Sequence, residues 1–219
     1  MELSQQPGDG PLTIALSGGS TPKALYETLS RPPFVEAVAW PRLELFFGDE
    51  RAVPPDDADS NYGLAARTLL AKIPSPVHRM VAESAEAEAY EHLIRGRIHK
   101  RRAEIPVFDL IFLGVGDDGH TASLFPGTRA LEERERLVAM NEVPQKNTRR
   151  MTFTYPLINA ADRVWVLISG AEKRDIVGRL REKRAQDDAS FPILRVDPSA
   201  GELVWWLDAA AAGTPRRGT

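Results

Sequence analysis

The sequence predicts an α/β fold: a doubly wound, mostly parallel sheet flanked by helices, Rossmann-like in its layering. Three observations carry that expectation. Short apolar runs alternate with longer helical patterns along most of the 219 residues. The runs are not broken by polar alternation, as strands buried on both faces require. Three of them end in a loop rich in glycine or charge, and in such sheets ligands bind outside the carboxyl ends of the strands. One domain spanning 1–219 accommodates the length.

Taken in order, the strands expected are Leu12 to Leu16, Leu43 to Phe47, Phe108 to Leu113 and Val164 to Ile168; the helices are Pro22 to Ser30, Ser60 to Ala71, Ser84 to Arg102 and Ala171 to Arg184. Thr21 stands where an N-cap hydroxyl would, and Pro22 at a first helical position, where a missing N–H costs nothing. "RPPF", "AVPPDDADSNY" and "KIPSPVH" carry prolines that stop helices and central strands, so they are loops. The basic end of the third helix, "RGRIHKRR", suits the negative end of a helix dipole, and the chain offers no basic continuation for nucleic acid. The tail "AAAAGTPRRGT" reads as a fraying terminus.

Composition narrows the function classes. With a formal net charge of -3, the chain gives no reason to invoke nucleic acid or an anionic membrane. Zero cysteines remove disulfides, thiolate nucleophiles and zinc–thiolate sites together. No apolar run reaches the roughly 18 residues of a membrane span, and the start lacks a secretory signal pattern. The expectation is a cytoplasmic protein, a monomer or weak homo-oligomer.

Chemistry is expected at four strand ends. Ser17, Gly18, Gly19, Ser20 and Thr21 join a strand to a helix start; paired glycines, free N–H groups and hydroxyls there suit an anion. Neither GxGxxG nor the Walker pattern is present, so a monophosphate fits better than a dinucleotide or a nucleoside triphosphate. In "FFGDERAVPPDDADSNYGLA", Asp49, Glu50 and Arg51 follow a strand; Arg51 suits a phosphate or a structural ion pair, and Asp59-Ser60-Asn61 resembles a helix cap. In "IFLGVGDDGHTASLFPG", His120 follows an acidic, glycine-rich turn, where a nearby carboxylate can hold an imidazole in the tautomer a general base needs. Lys173, after Ser169 and Gly170 at a strand end, lies within the first turn or so of the helix expected from Ala171 and opposes its dipole, which is explained by an anion or by a simply solvated side chain. His78, His92 and His99 lack carboxylates at ligand spacing, and no metal site is expected.

These stretches, in this order and approximate spacing, resemble the 6-phosphogluconolactonase family. The resemblance rests on "LSGGSTPKALYETL", "FFGDERAVPPDDADSNY", "DLIFLGVGDDGHTASLFPG" and "RMTFTYPLINAADRVWVLISGAEK". It implies hydrolysis of 6-phospho-D-glucono-1,5-lactone to 6-phosphogluconate, the second step of the oxidative pentose phosphate pathway, with no cofactor. It also implies roles: His120 as the base that activates water, Asp118 as its orienting carboxylate, and Gly18, Gly19, Ser20, Thr21, Arg51 and Lys173 around the phosphate. Asp49 and Arg150 are candidates for substrate contact, and backbone N–H groups between Gly116 and Gly119 are candidates for the oxyanion; Asp117 is expected to be merely solvated.

The related glucosamine-6-phosphate deaminases share the phosphate loop and the GxxDGH element. They place a glutamate five residues after the histidine, where this chain has Phe125. A non-catalytic sugar-phosphate sensor would resemble a chain with a DNA-binding segment ahead of Leu12. Family members usually have a further strand and helix before the phosphate loop; without them the sheet is expected to miss an edge element and expose apolar surface. The segment "NEVPQKNTRR", ahead of Arg150, also departs from the family's proline-rich version.

Overall fold

The four expected strands lie side by side in one parallel sheet, and a fifth strand closes its far edge. The computed structural model describes residues 10–186 and 188–213. In chain order its main elements are β1 (Leu12–Leu16), α1 (Ser20–Leu29), α2 (Phe34–Ala37), β2 (Leu43–Phe47), β3 (Asp49–Arg51), α3 (Asn61–Thr68), α4 (Ala87–Arg97), β4 (Arg101–Arg102), β5 (Ile105–Pro106) and β6 (Leu110–Leu113). There follow β7 (Val138–Val143), β8 (Thr148–Phe153), α5 (Tyr155–Ile158), β9 (Arg163–Ile168), α6 (Arg174–Ala185), β10 (Glu202–Leu207) and α7 (Ala209–Ala212).

The parallel sheet runs β10-β9-β6-β1-β2. From β1 the chain moves to β2 on one side; it then returns to place β6 on the other side of β1 and continues outward through β9 and β10. The strand order therefore reverses between β1 and β6, and a crevice opens there at their carboxyl ends. β2 and β6 are buried at every position, which is why they read as apolar runs, β2 interrupted only by Glu44, whose carboxylate pairs with His78 at 2.6 Å. β10, at the edge, alternates less cleanly and was not among the expected strands.

A second, three-stranded antiparallel sheet, β3-β8-β7, was not expected either. It grows directly out of the first: Gly48 donates to Leu16 O at 2.9 Å, and Phe153 N donates to Gly48 O at 2.8 Å. The chain thus passes from one sheet to the other across a single glycine. "NEVPQKNTRR" is the hairpin of this sheet, turned by Pro144–Lys146 with Asn147 at φ 46°. One continuous core joins the sheets and includes Phe47, Phe108 and Phe153, none of them measurably exposed; burying each such side chain contributes roughly 1.5–3 kcal/mol.

Several boundaries differ from expectation. The helix expected over Ser84 to Arg102 ends at Arg97, because the chain turns through Ala103 and Glu104, both at positive φ, into the β4–β5 hairpin. Arg95 and Arg97 do occupy the last helical turn, as the dipole reading requires, while Lys100 and Arg102 anchor the hairpin on Asp162. α1 begins at Ser20 with Gly19 as its cap residue, so Thr21 is not the N-cap and Pro22 falls later in the first turn. The alanines of the tail form α7, capped by Asp208 accepting from Ala211 N at 2.7 Å; residues 214–219 lie outside the described residues. So do residues 1–9, on which the expectation of a missing edge element turns. Apolar surface does appear on a flanking strand, where Trp206 of β10 is 52% exposed. No helix among the described residues is long and apolar enough to cross a membrane.

Candidate active site

The crevice between β1 and β6 is a cavity of about 200 Å³. Its wall includes Gly18, Gly19, Ser20, Thr21, Asp49, Arg51, His120, Arg150 and Lys173, so every site residue expected from the sequence except Asp118 faces one space. Asp118 stands one layer behind, against the imidazole.

The wall at the end of β1 is held from behind. Tyr26 of α1 donates to Ser17 O at 2.7 Å and accepts from Ser17 N at 3.1 Å, so both backbone groups of the loop's first residue are tied to the helix that follows. Burial pushes the Tyr26 phenol up, which keeps it a donor at every relevant pH. The Thr21 hydroxyl, freed from capping, lies 3.0 Å from the Ser169 hydroxyl beyond β9. A Cβ at Gly18 would fall 1.7 Å from Asn61 Oδ1, so glycine is what lets α3 bring Asn61 against the loop. Asn61 and Tyr26 are site-building residues that the sequence reading did not single out; Asn61 was legible only as part of a helix cap.

β3 supplies the second wall, and its three charged residues divide the work. Glu50 is buried and accepts from the backbone N–H groups of Asn61 (2.7 Å) and Tyr62 (2.8 Å), so it caps α3 rather than facing ligand. Burial raises its pKa, opposed by these N–H groups. Ser60 completes the cap by accepting from Gly63 N at 3.0 Å. Asp49 accepts from the Ser123 hydroxyl (2.7 Å) and from Asn61 Nδ2 (3.2 Å), fastening the segment after His120 to the second sheet. Arg51 donates to Asp59 O at 2.7 Å and to Asn61 Oδ1. Its register partner across the sheet is Arg150, which brings the two cations to the same wall. Nε of each is buried with no acceptor among the described residues. Buried unsatisfied donors are costly, and a bound anion would satisfy them.

The third wall is the turn after β6. The residue pair Asp118 and His120 closes on itself: His120 Nδ1 lies 2.5 Å from Asp118 Oδ1, and His120 N donates to the same oxygen at 3.1 Å. A carboxylate can only accept, so Nδ1 carries the proton and Nε2 is the lone-pair nitrogen. Burial lowers the His120 pKa, opposed by Asp118 and Asp49 and assisted by Arg150, which keeps the ring neutral. Burial would raise Asp118, but its hydrogen bonds with His120 outweigh this and hold it below the ordinary carboxylate value. A Cβ at Gly116 would lie 2.0 Å from the imidazole, so only glycine lets the ring fold back on its own loop. The N–H groups of Gly116 and Gly119 are spent on closing the turn, on His120 O and Gly116 O (both 2.9 Å), which withdraws them from the expected oxyanion role.

Asp117 is more than a solvated side chain. Although 84% exposed, it receives Lys173 Nζ at 2.7 Å, so the lysine on the cavity wall is tethered to the histidine's own loop. Among the described residues no cluster of His, Asp and Glu is arranged to hold a metal ion.

The family model described as glucosamine-6-phosphate isomerases/6-phosphogluconolactonase matches residues 3–205. A 6-phosphogluconolactonase of Nostoc sp. is 40% identical over 209 residues, covering 92% of this chain and 84% of that protein. One from Synechocystis sp. is 41% identical over the same shares. The solved 6-phosphogluconolactonase of Trypanosoma brucei is 34% identical with a TM-score of 0.78, over 93% of this chain and 86% of that one. The chain therefore belongs to the glucosamine-6-phosphate isomerase/6-phosphogluconolactonase family.

Proposed function

We propose that the chain hydrolyses 6-phospho-D-glucono-1,5-lactone to 6-phospho-D-gluconate, the second step of the oxidative pentose phosphate pathway, in the cytoplasm and without a cofactor. The observation that carries this reading is the pairing of a neutral, oriented imidazole with a cationic cradle across one small cavity. The phosphate lies against Gly18, Gly19, Ser20 and Thr21, with Arg51 and Lys173 supplying charge, and its binding energy orients the lactone ring. His120 Nε2 removes a proton from water as the water oxygen bonds to the lactone carbonyl carbon. Asp118 accepts from Nδ1–H and stabilises the imidazolium that forms. Arg150, on the second-sheet wall and near enough to His120 to lower its pKa, brings positive charge that favours the tetrahedral oxyanion. Collapse of that intermediate breaks the ring C–O bond, and the imidazolium returns its proton to the departing ring oxygen.

Phe125, buried and apolar, stands where the deaminases that the sequence resembles have a carboxylate; this favours ester hydrolysis over ring-opening isomerisation. The test generates the lactone with glucose-6-phosphate dehydrogenase and follows its loss against spontaneous hydrolysis. Wild type should accelerate the loss and His120→Ala should forfeit roughly 10²- to 10⁴-fold of the acceleration. Equal rates for the two proteins would sink the assignment, and equal turnover of the unphosphorylated lactone would sink the phosphate cradle.

A further inference from the structure

One fully buried aromatic ring touches both polar arms of the site. The Phe125 and His120 rings lie 3.9 Å apart, centroid to centroid, at an interplanar angle of 19°, a stacked pair. The Arg150 guanidinium carbon stands over the same ring at 5.2 Å. The phenyl ring has 0% exposure, yet both groups on it face the cavity. Its backbone is pinned as well: Thr128 donates to Phe125 O through its N–H (3.2 Å) and its hydroxyl (2.8 Å), and that hydroxyl accepts from Asn141 Nδ2 of β7 at 2.9 Å. The ring is thus a rigid part of the second sheet's packing, inserted beneath a histidine that belongs to the first.

We propose that Phe125 is a positioning residue of the reaction, a platform that holds the His120 imidazole and the Arg150 guanidinium in fixed relation to each other and to the cavity. The inference rests on the hydrolytic reading above for its kinetic consequences, not for the geometry. A stacked ring excludes water from one face of the imidazole and restricts its rotation about the Asp118 hydrogen bond. The charged groups that act on His120 are Asp118 on its own loop and Asp49 and Arg150 on the second sheet; none of them covers that face as the phenyl ring does.

The experiment compares Phe125→Leu with Phe125→Tyr by two readings: the pH profile of kcat, and the titration of the His120 ring followed by NMR, its signal assigned through loss in His120→Ala. Replacing the ring by leucine admits water to the imidazole, so the His120 titration and the acid limb of kcat should both move to higher pH. At the plateau kcat should fall roughly 2- to 12-fold. Tyrosine retains the stacking face and should retain the wild-type limb and titration. Phe125→Met supplies the same two readings should the leucine variant not fold. A uniform loss of kcat at every pH, with the His120 titration unmoved, would overturn the proposal, as would a tyrosine variant that shifts like leucine. The titration reports on the ring pair whether or not His120 is the base, so full activity in His120→Ala defeats the reaction reading alone.

Discussion

The two sides of the cavity are built by opposite means. On the first sheet, the turn from Gly114 to His120 is closed locally: its closing bonds join residues two to four apart and its internal charge pair is Asp118 on His120, with Lys173 reaching Asp117 from outside. On the second sheet, Arg51 and Arg150 meet only through strand pairing, and Asp49 reaches Ser123 across 74 residues of chain. The local turn sets the carboxylate–imidazole pair from near neighbours, while the stacked face of the ring depends on Phe125. A wall assembled at long range couples the site to the stability of the whole fold.

That contrast can be broken from either side. His120→Ala should give the largest effect on catalysis, the roughly 10²- to 10⁴-fold loss stated above, yet move the urea midpoint less than Asp49→Ala does, since the ring is partly exposed and its side-chain hydrogen bond is to Asp118, two residues away. A large fall in the midpoint would mean that the turn is not locally built. Asp49→Ala should do the reverse: it strands the buried Ser123 hydroxyl and one Asn61 donor, and should destabilise the fold by about 2–4 kcal/mol in urea unfolding. An unchanged midpoint would show that the second wall does not depend on this carboxylate.

Acid pH sharpens the comparison further. With burial dominating, the His120 pKa lies below its ordinary value, so the base stays competent through neutral pH and is lost only as pH falls through that lowered value. Asp118 and Asp49 both oppose the depression. Asp118→Asn removes one opposing charge; kcat should drop, and the acid limb should move to still lower pH. A limb displaced upward would contradict the cause assigned here. The smallest effect is expected from Asp117→Asn, which loosens Lys173 at a solvent-exposed ion pair. Such pairs contribute about 0–1 kcal/mol, so KM should change by less than about fivefold, and less still at high salt.

The parallel sheet was legible because strands buried on both faces are predominantly apolar: Leu110–Leu113 is wholly so, and Leu43–Phe47 is interrupted only by Glu44, which is buried against His78. β3 was not, since "DER" has no strand periodicity and pairs only because β8 arrives beside it. β7 and β8 were missed for a related reason: "VAMNEV" and "TRRMTF" mix charge with apolar positions and are joined by a proline turn. Within the site, Asn61 read as part of a cap because Ser60 does cap α3; only the approach of α3 to Gly18 shows its second contact. Phe125 read as an apolar position after a motif, and nothing local marks a ring as lying under one imidazole and one guanidinium.

What the chain determined by itself was the class of fold, the glycine-rich loop that joins β1 to α1, and the histidine with its carboxylate two residues away. Each depends on interactions between near neighbours or on the burial of a short run, and both leave a signature in a single stretch of sequence. The tertiary structure alone decided that Arg51 and Arg150 are paired across one sheet, that Lys173 is tethered by Asp117, that Glu50 caps a helix instead of facing ligand, and that Phe125 carries His120 and Arg150. Those outcomes come from packing between residues that are, apart from the His120–Phe125 pair, about 10 to more than 70 positions apart, with contacts selected by the shape and burial of the whole core.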